Sequence, residues 1–292
     1  MFTVSLIAAP AAANLDPDLP GGVAARWQGG DPRVLAPGIA AEFDIATRPA
    51  DADQVWSDLQ TIGIDLAIQP ARNRRKRILL ADMDSTMIEQ ECIDELADVA
   101  GVGARVADIT ARAMNGELNF HEALVERVGL LAGLPESTIH DVLASRITMA
   151  PGGDLLVATM RANGAYAALV SGGFTAFTES VAHRLGFDEN RANTLLAEEG
   201  VLTGHVALPV LGREAKVEAL DEIAARLGLS AADVIAVGDG ANDLGMIGRA
   251  GTGVALHAKP AVAAQAPIRI NHGDLSALLY LQGYAAADFV TG

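Results

Sequence analysis

The chain is poor in cysteine: its 292 residues contain one, Cys92. A single cysteine excludes an internal disulfide and suits a reducing compartment, so a cytoplasmic location is expected. Its plainest role is that of a small buried hydrophobe. The six histidines are scattered without zinc-type spacing. Basic charge is also scarce. Twenty-one lysines and arginines stand against 37 acids, for a net charge of −16, which argues against nucleic acid as a partner. No apolar run reaches the roughly 18 residues of a membrane span, so no membrane partner is expected either. The start, MFTVSLIAAPAAANL, lacks the positive segment of a secretion signal and reads as a first strand and a loop. Aromatics are few, yet half of the residues are hydrophobic. That is enough for a proper core and more than one domain.

The pattern changes along the chain. Residues 1–71 read as a small α+β module, with strands at 2–8, 40–46 and 64–68 and a helix over 52–62. RNRRKR (72–77) follows and reads as a solvated basic linker. From Ile78 onward strands and helices alternate. ILLA (78–81), YAALV (166–170) and VIAV (234–237) are continuous apolar runs, as strands covered on both faces should be. Shorter runs at 253–256 and 268–270 extend the series, with helices expected over 174–185, 215–227 and 275–284. This alternation predicts a Rossmann-like parallel α/β sheet over 78–292. One connection is far longer than usual. Its helical periodicity, from about 89 to 151, predicts an inserted helical cap. A hairpin is expected over 194–206, turning at Glu199-Gly200.

Each of the three long apolar runs ends in a polar or glycine-rich segment. Ligands bind outside the carboxyl ends of such strands, so Asp82/Asp84, Ser171-Gly172-Gly173 and Asp239/Asn242/Asp243 should converge. Several carboxylates in one pocket repel, which raises their pKa values or recruits a cation. Oxygen ligands with room for water suit Mg²⁺, which commonly binds one or two carboxylates plus substrate phosphate. Asp82 and Asp84 would point to one side of an extended strand end. One could attack phosphorus while the other serves the leaving oxygen. Asp-x-Asp alone is weak, since such triplets are common in turns and calcium loops.

DMDST (82–86), SGGF (171–174), the lysine of GREAK (212–216) and GDGAND (238–243) resemble the four ordered motifs of the haloacid dehalogenase superfamily. DMDSTMIEQECIDELADVAG (82–101) and MNGELNFHEALVERVGLL (114–131) are further similar to its phosphoserine phosphatases. That resemblance implies Mg²⁺-dependent hydrolysis of O-phospho-L-serine, the last step of L-serine biosynthesis. It implies Asp82 as nucleophile, through an aspartyl phosphate, and Asp84 as general acid/base. Mg²⁺ would be held by Asp82, Asp84 through its main-chain carbonyl, and Asp239, with Asp243 behind them. Ser171, Gly172, Lys216 and Asn242 would hold the phosphoryl group. Glu91 and Arg127 would read the substrate's ammonium and carboxylate, and Met114 and Phe120 would line the cap. For residues 1–71 the resemblance is to ACT-like modules, whose role is open among amino-acid sensing, homodimer formation and packing. Two rivals remain. A phosphatase for another small phosphomonoester is opposed by the cap, Glu91 and Arg127. A non-catalytic amino-acid sensor is opposed by the full set of catalytic residue types. Gly101-Val102-Gly103 lacks the third glycine of a dinucleotide site, and no strand precedes it.

Overall fold

The computed structural model describes residues 1–114 and 117–291, and the expected role of the Met114 side chain falls outside what is described. The chain opens with β1 (Phe2–Ala8), α1 (Leu19–Arg26), β2 (Arg33–Ala36), β3 (Ala40–Ile45), α2 (Ala52–Gln60) and β4 (Ile64–Pro70). The four strands form an antiparallel sheet in the order β2-β3-β1-β4. Alternation along β1 explains its position. Val4, Leu6 and Ala8 pack with Val55 and Leu59 of α2. Ile7 faces the other way, into the main core with Leu35, Ala40 and Ala67. The sheet is thus covered on both faces, and β1, whose apolar residues are interrupted only by Thr3 and Ser5, is buried almost throughout.

Next come β5 (Ile78–Ala81), then α3 (Cys92–Val99), α4 (Gly103–Met114), α5 (Phe120–Gly129), α6 (Ser137–Ser145) and α7 (Gly153–Ala162). β6 (Tyr166–Phe174), α8 (Thr175–Leu185), β7 (Glu189–Asn193), β8 (Leu195–Glu198) and β9 (Val201–Val206) follow. The chain closes with α9 (Arg213–Arg226), β10 (Val234–Gly238), α10 (Leu244–Arg249), β11 (Thr252–Leu256), α11 (Pro260–Ala263), β12 (Ile268–Ile270) and α12 (Ala277–Leu281). Six strands pair in parallel in the order β12-β11-β10-β5-β6-β7. Leu79, Ala81, Leu169 and Val237 fill one face. Ile78, Leu80, Val170 and Ala236 fill the other, against Ala219, Leu220 and Ile223 of α9. Burying a leucine such as Leu79 or Leu80 contributes about 1.5–3 kcal/mol.

The long β5–β6 connection is helical. Asn119 caps α5 reciprocally with Glu122, which fixes where that helix starts. The β8–β9 hairpin turns at Glu199 (φ 51°) and Gly200 (φ 78°), the two left-handed residues of a tight hairpin. It braces the helices through Gly133 N to Leu202 O (2.9 Å) and Leu202 N to Leu134 O (2.9 Å).

The basic stretch is not solvated throughout. Arg74 pairs with Glu42 at 2.6 Å, and Arg75 lies 4.1 Å from the centre of the Tyr284 ring. Lys76 is buried and donates to Ala232 O at 2.7 Å. The N-terminal sheet is fastened to the chain's far end as well. Asp65 is fully buried and accepts the amides of Asn271 (2.9 Å), His272 (3.0 Å) and Gly273 (2.8 Å). Asp65→Ala should therefore cost about 3–5 kcal/mol, because three amides lose a charged acceptor. Thermal unfolding should fall by roughly 10 °C, and a drop below about 3 °C would mean that water replaces the carboxylate.

Candidate active site

The carboxyl ends of β5, β6 and β10 lie side by side, and Asp82, Asp84, Ser171, Lys216, Asp239 and Asp243 come together there. β5 stops at Ala81, so strand alternation does not place Asp82 and Asp84. A turn does: the amides of Thr86 (3.2 Å), Met87 (2.9 Å) and Ile88 (3.1 Å) all close onto Met83 O. Ser85 sits in the left-handed region at φ 52°, a conformation that a non-glycine residue adopts only when held. Its hydroxyl donates to Glu91 at 2.7 Å.

The centre is an ion triad. Lys216, fully buried on α9, lies 2.7 Å from Asp82 Oδ2 and 2.6 Å from Asp243 Oδ1. Burial alone would lower the pKa of its ammonium, but the Asp82 and Asp243 charges outweigh it and hold it above the usual range. The Met83 amide fixes the other oxygen of Asp82 at 2.7 Å. Asp243 takes the Gly240 amide at 2.9 Å. Burial, and then the Asp82 charge, push the Asp243 acid up to about 7.

Asp84 stands at the head of α3, where its Oδ1 accepts the Cys92 amide at 3.0 Å. Burial raises its acid to about 6, with the Asp82 charge adding to the effect and the Cys92 hydrogen bond opposing it. Buried Ser171 brings its Oγ within 3.5 Å of Asp84 Oδ2 and accepts the Gly173 amide at 2.9 Å. A Cβ on Gly173 would come 2.5 Å from Asp84 Oδ2, so a side chain here would displace the Asp84 carboxylate. Asp239 is held at 3.0 Å by the hydroxyl of Thr86, a partner that the sequence reading had not assigned. Burial, then Asp82, raise Asp239 to about 6. Asn242 is half-buried in the turn between Gly238 and α10.

Four acids and one lysine leave a surplus of negative charge. Asp82, Asp239 and Asp243 each offer an oxygen within 4.8 Å of the others. An oxygen-only set of this kind, with Asp239 and Asp243 pushed toward protonation, fits a hard divalent cation.

Beside the site, the Phe120 ring covers the last residues of β6 and the residue before α9. A Cβ on Gly172 or Gly212 would meet that ring at 3.1 or 3.2 Å. Glu91 lies at the N-cap of α3. Desolvation of its carboxylate, then the Asp84 charge, push its acid up to about 8; because part of the residue is exposed, water offsets part of that shift. Arg127 is partly buried on α5, held by Ala123 O (3.2 Å) and Thr110 Oγ1 (3.5 Å). Burial lowers its pKa, opposed by the charges of Asp94, Glu91 and Asp84. It forms no ion pair among the described residues. Neighbouring groups have other places: Asp94 and Glu95 occupy the first turn of α3, Cys92 is fully buried, and Glu126 pairs with Arg112 at 2.9 Å.

Comparison with known proteins gives a consistent result. Residues 79–248 match the family model of haloacid dehalogenase-like hydrolases. A phosphoserine phosphatase of Archaeoglobus fulgidus is 44% identical over 76% of this chain, which spans 66% of that protein's length. One from Polaromonas sp. is 44% identical over 70% of this chain and 89% of its own. The solved structure of a probable phosphoserine phosphatase from Vibrio cholerae is 31% identical, with a TM-score of 0.79 over 98% of this chain and 88% of that one.

Proposed function

The chain belongs to the haloacid dehalogenase-like hydrolases, on the branch of the phosphoserine phosphatases, and from that premise we propose that it hydrolyses O-phospho-L-serine to L-serine and inorganic phosphate with Mg²⁺ as cofactor. The observation that carries this reading is the buried Asp82–Lys216–Asp243 triad, with Asp239 beside it and Ser171 at the next strand end. Residues 78–292 form the hydrolase on this reading, with 89–151 as its cap and 72–77 joining it to an ACT-like module at 1–71.

Mg²⁺, held by Asp82, Asp239 and the Asp84 main-chain carbonyl with Asp243 in support, would neutralise charge on the phosphoryl oxygens. The chain's own groups do the rest. Asp82 attacks phosphorus with a carboxylate oxygen, and the bond from phosphorus to the serine oxygen breaks. Asp84 gives its proton to that oxygen; an acid raised to about 6 is matched to both halves of the reaction near neutral pH. Water then attacks the aspartyl phosphate, Asp84 takes its proton, and the bond from phosphorus to Asp82 breaks. Lys216 steadies Asp82 and the phosphoryl charge, while Ser171 and the Gly172 amide hold the oxygens. Phosphomonoester hydrolysis needs accelerations of up to ~10²¹-fold, so positioning and charge neutralisation must act together. Glu91 pairs with the substrate's ammonium and Arg127 with its carboxylate.

Phosphate release from a panel of esters tests the reading. Phosphoserine should exceed phosphothreonine, phosphohomoserine and p-nitrophenyl phosphate in kcat/KM, and EDTA should stop turnover until Mg²⁺ is restored. Arg127→Ala should cost on the order of 10²-fold with phosphoserine and little with p-nitrophenyl phosphate, which has no carboxylate. Equal losses with both esters would remove Arg127 from substrate recognition, and a different preferred ester would overturn the substrate.

A further inference from the structure

We propose that Asn193, outside all four motifs, is a positioning residue that sets the phosphoryl-binding loop and the approach to Lys216 as one unit. The inference rests on the phosphatase reading above. Asn193 ends β7 and is 3% exposed. Its side-chain amide donates to Gly172 O (2.8 Å) and Leu211 O (3.1 Å), and its carbonyl accepts the Leu211 amide (2.7 Å). A buried amide with both N–H groups and its oxygen engaged is costly to replace.

The register shows why the chain needs it. β6 and β7 pair regularly up to Val170–Arg191, then resume at Phe174–Asn193 with an irregularity between. Residues 171–173 bulge away from the ladder, so their backbone groups need other partners. Asn193 supplies one to Gly172 O. The Gly172–Gly173 peptide is planar, so fixing its carbonyl also aims its N–H the opposite way. That N–H donates to Ser171 Oγ at 2.9 Å, so the serine's own proton points elsewhere: toward Asp84 Oδ2 at 3.5 Å here, and toward a phosphoryl oxygen when one is bound. On its other side Asn193 holds both backbone groups of Leu211, next to Gly212, which precedes α9 and Lys216. Gly172 and Gly212 also share the Phe120 ring as neighbour. One side chain therefore registers the serine hydroxyl, the lysine helix and the surface on which the Phe120 ring of α5 rests.

The test measures binding of inorganic phosphate by calorimetry in Mg²⁺, beside turnover of O-phospho-L-serine. Asn193→Asp keeps the shape but turns two donors into acceptors facing carbonyls; Asn193→Ser keeps a smaller hydroxyl and serves if the first variant does not fold. Each should weaken phosphate binding at least tenfold and lower kcat/KM on the order of 10²-fold. Asp65→Ala, remote from the site, controls for general destabilisation and should leave phosphate affinity within twofold. Phosphate affinity within twofold of the parent for the Asn193 variants, or equal weakening in Asp65→Ala, overturns the inference. If the parent binds phosphate but ignores phosphoserine, the substrate reading fails while the Asn193 comparison still decides its own question.

Discussion

Asp82→Asn should lower phosphate release by on the order of 10⁴-fold or more, about 5 kcal/mol of transition-state stabilisation, in a protein that still folds. An amide oxygen is a poor nucleophile, and its amide leaves the phosphoryl group nowhere to go. The fold should persist because the substitution is nearly isosteric. The Met83 amide can still donate to the retained oxygen, and Lys216 keeps Asp243 at 2.6 Å. Phosphate release should be measured with a far-UV spectrum and a melting curve. Turnover within about tenfold of the parent would take the nucleophile's role away from Asp82. Loss of the melting transition would instead show that Asp82 holds the core together.

Lys216→Met should damage stability and chemistry together. The ammonium is the charge partner of two buried carboxylates. Removing one member of such a group typically costs 3–5 kcal/mol, because the remaining charges are left uncompensated. The melting temperature should fall by roughly 10 °C in EDTA. The fall should be smaller in Mg²⁺, since a cation bound only by the folded state offsets part of the loss. Turnover should drop on the order of 10²–10³-fold with the phosphoryl charge unpaired. A variant as stable as the parent in EDTA would mean that Asp82 and Asp243 are not both ionised in the parent.

Much of this site was legible because the strands that carry it are buried on both faces. Such strands spell out continuous apolar runs, and the abrupt change to Asp82, Ser171 or Asp239 marks where each one stops. The parallel topology then brings distant residues together. What escaped was polar or short. β7 reads ENRAN; it is an edge strand with one hydrogen-bonded neighbour, so no apolar run announces it, and Asn193 stayed hidden with it. α7 begins on Gly152-Gly153, which looks like a loop until Leu156, Val157 and Met160 are seen in the core. α1 carries a proline and two glycines, poor helix formers whose effect is overridden by packing of Val23 and Ala24. The basic stretch misled for a different reason. Arginine and lysine stems can bury while their heads find partners, and those partners, Glu42, Tyr284 and Ala232, lie far away in sequence.

The Asp65 clasp bears on how the polypeptide matures on the ribosome. Its amide partners are encoded 206–208 positions downstream, so at 5–20 residues per second they emerge roughly 10–40 s after Asp65 itself. Throughout that interval the newborn first sheet holds a carboxylate, and one apolar face, with nothing to close against. A stretch translated much later therefore supplies the latch for this sheet, and the two segments mature as partners rather than in succession.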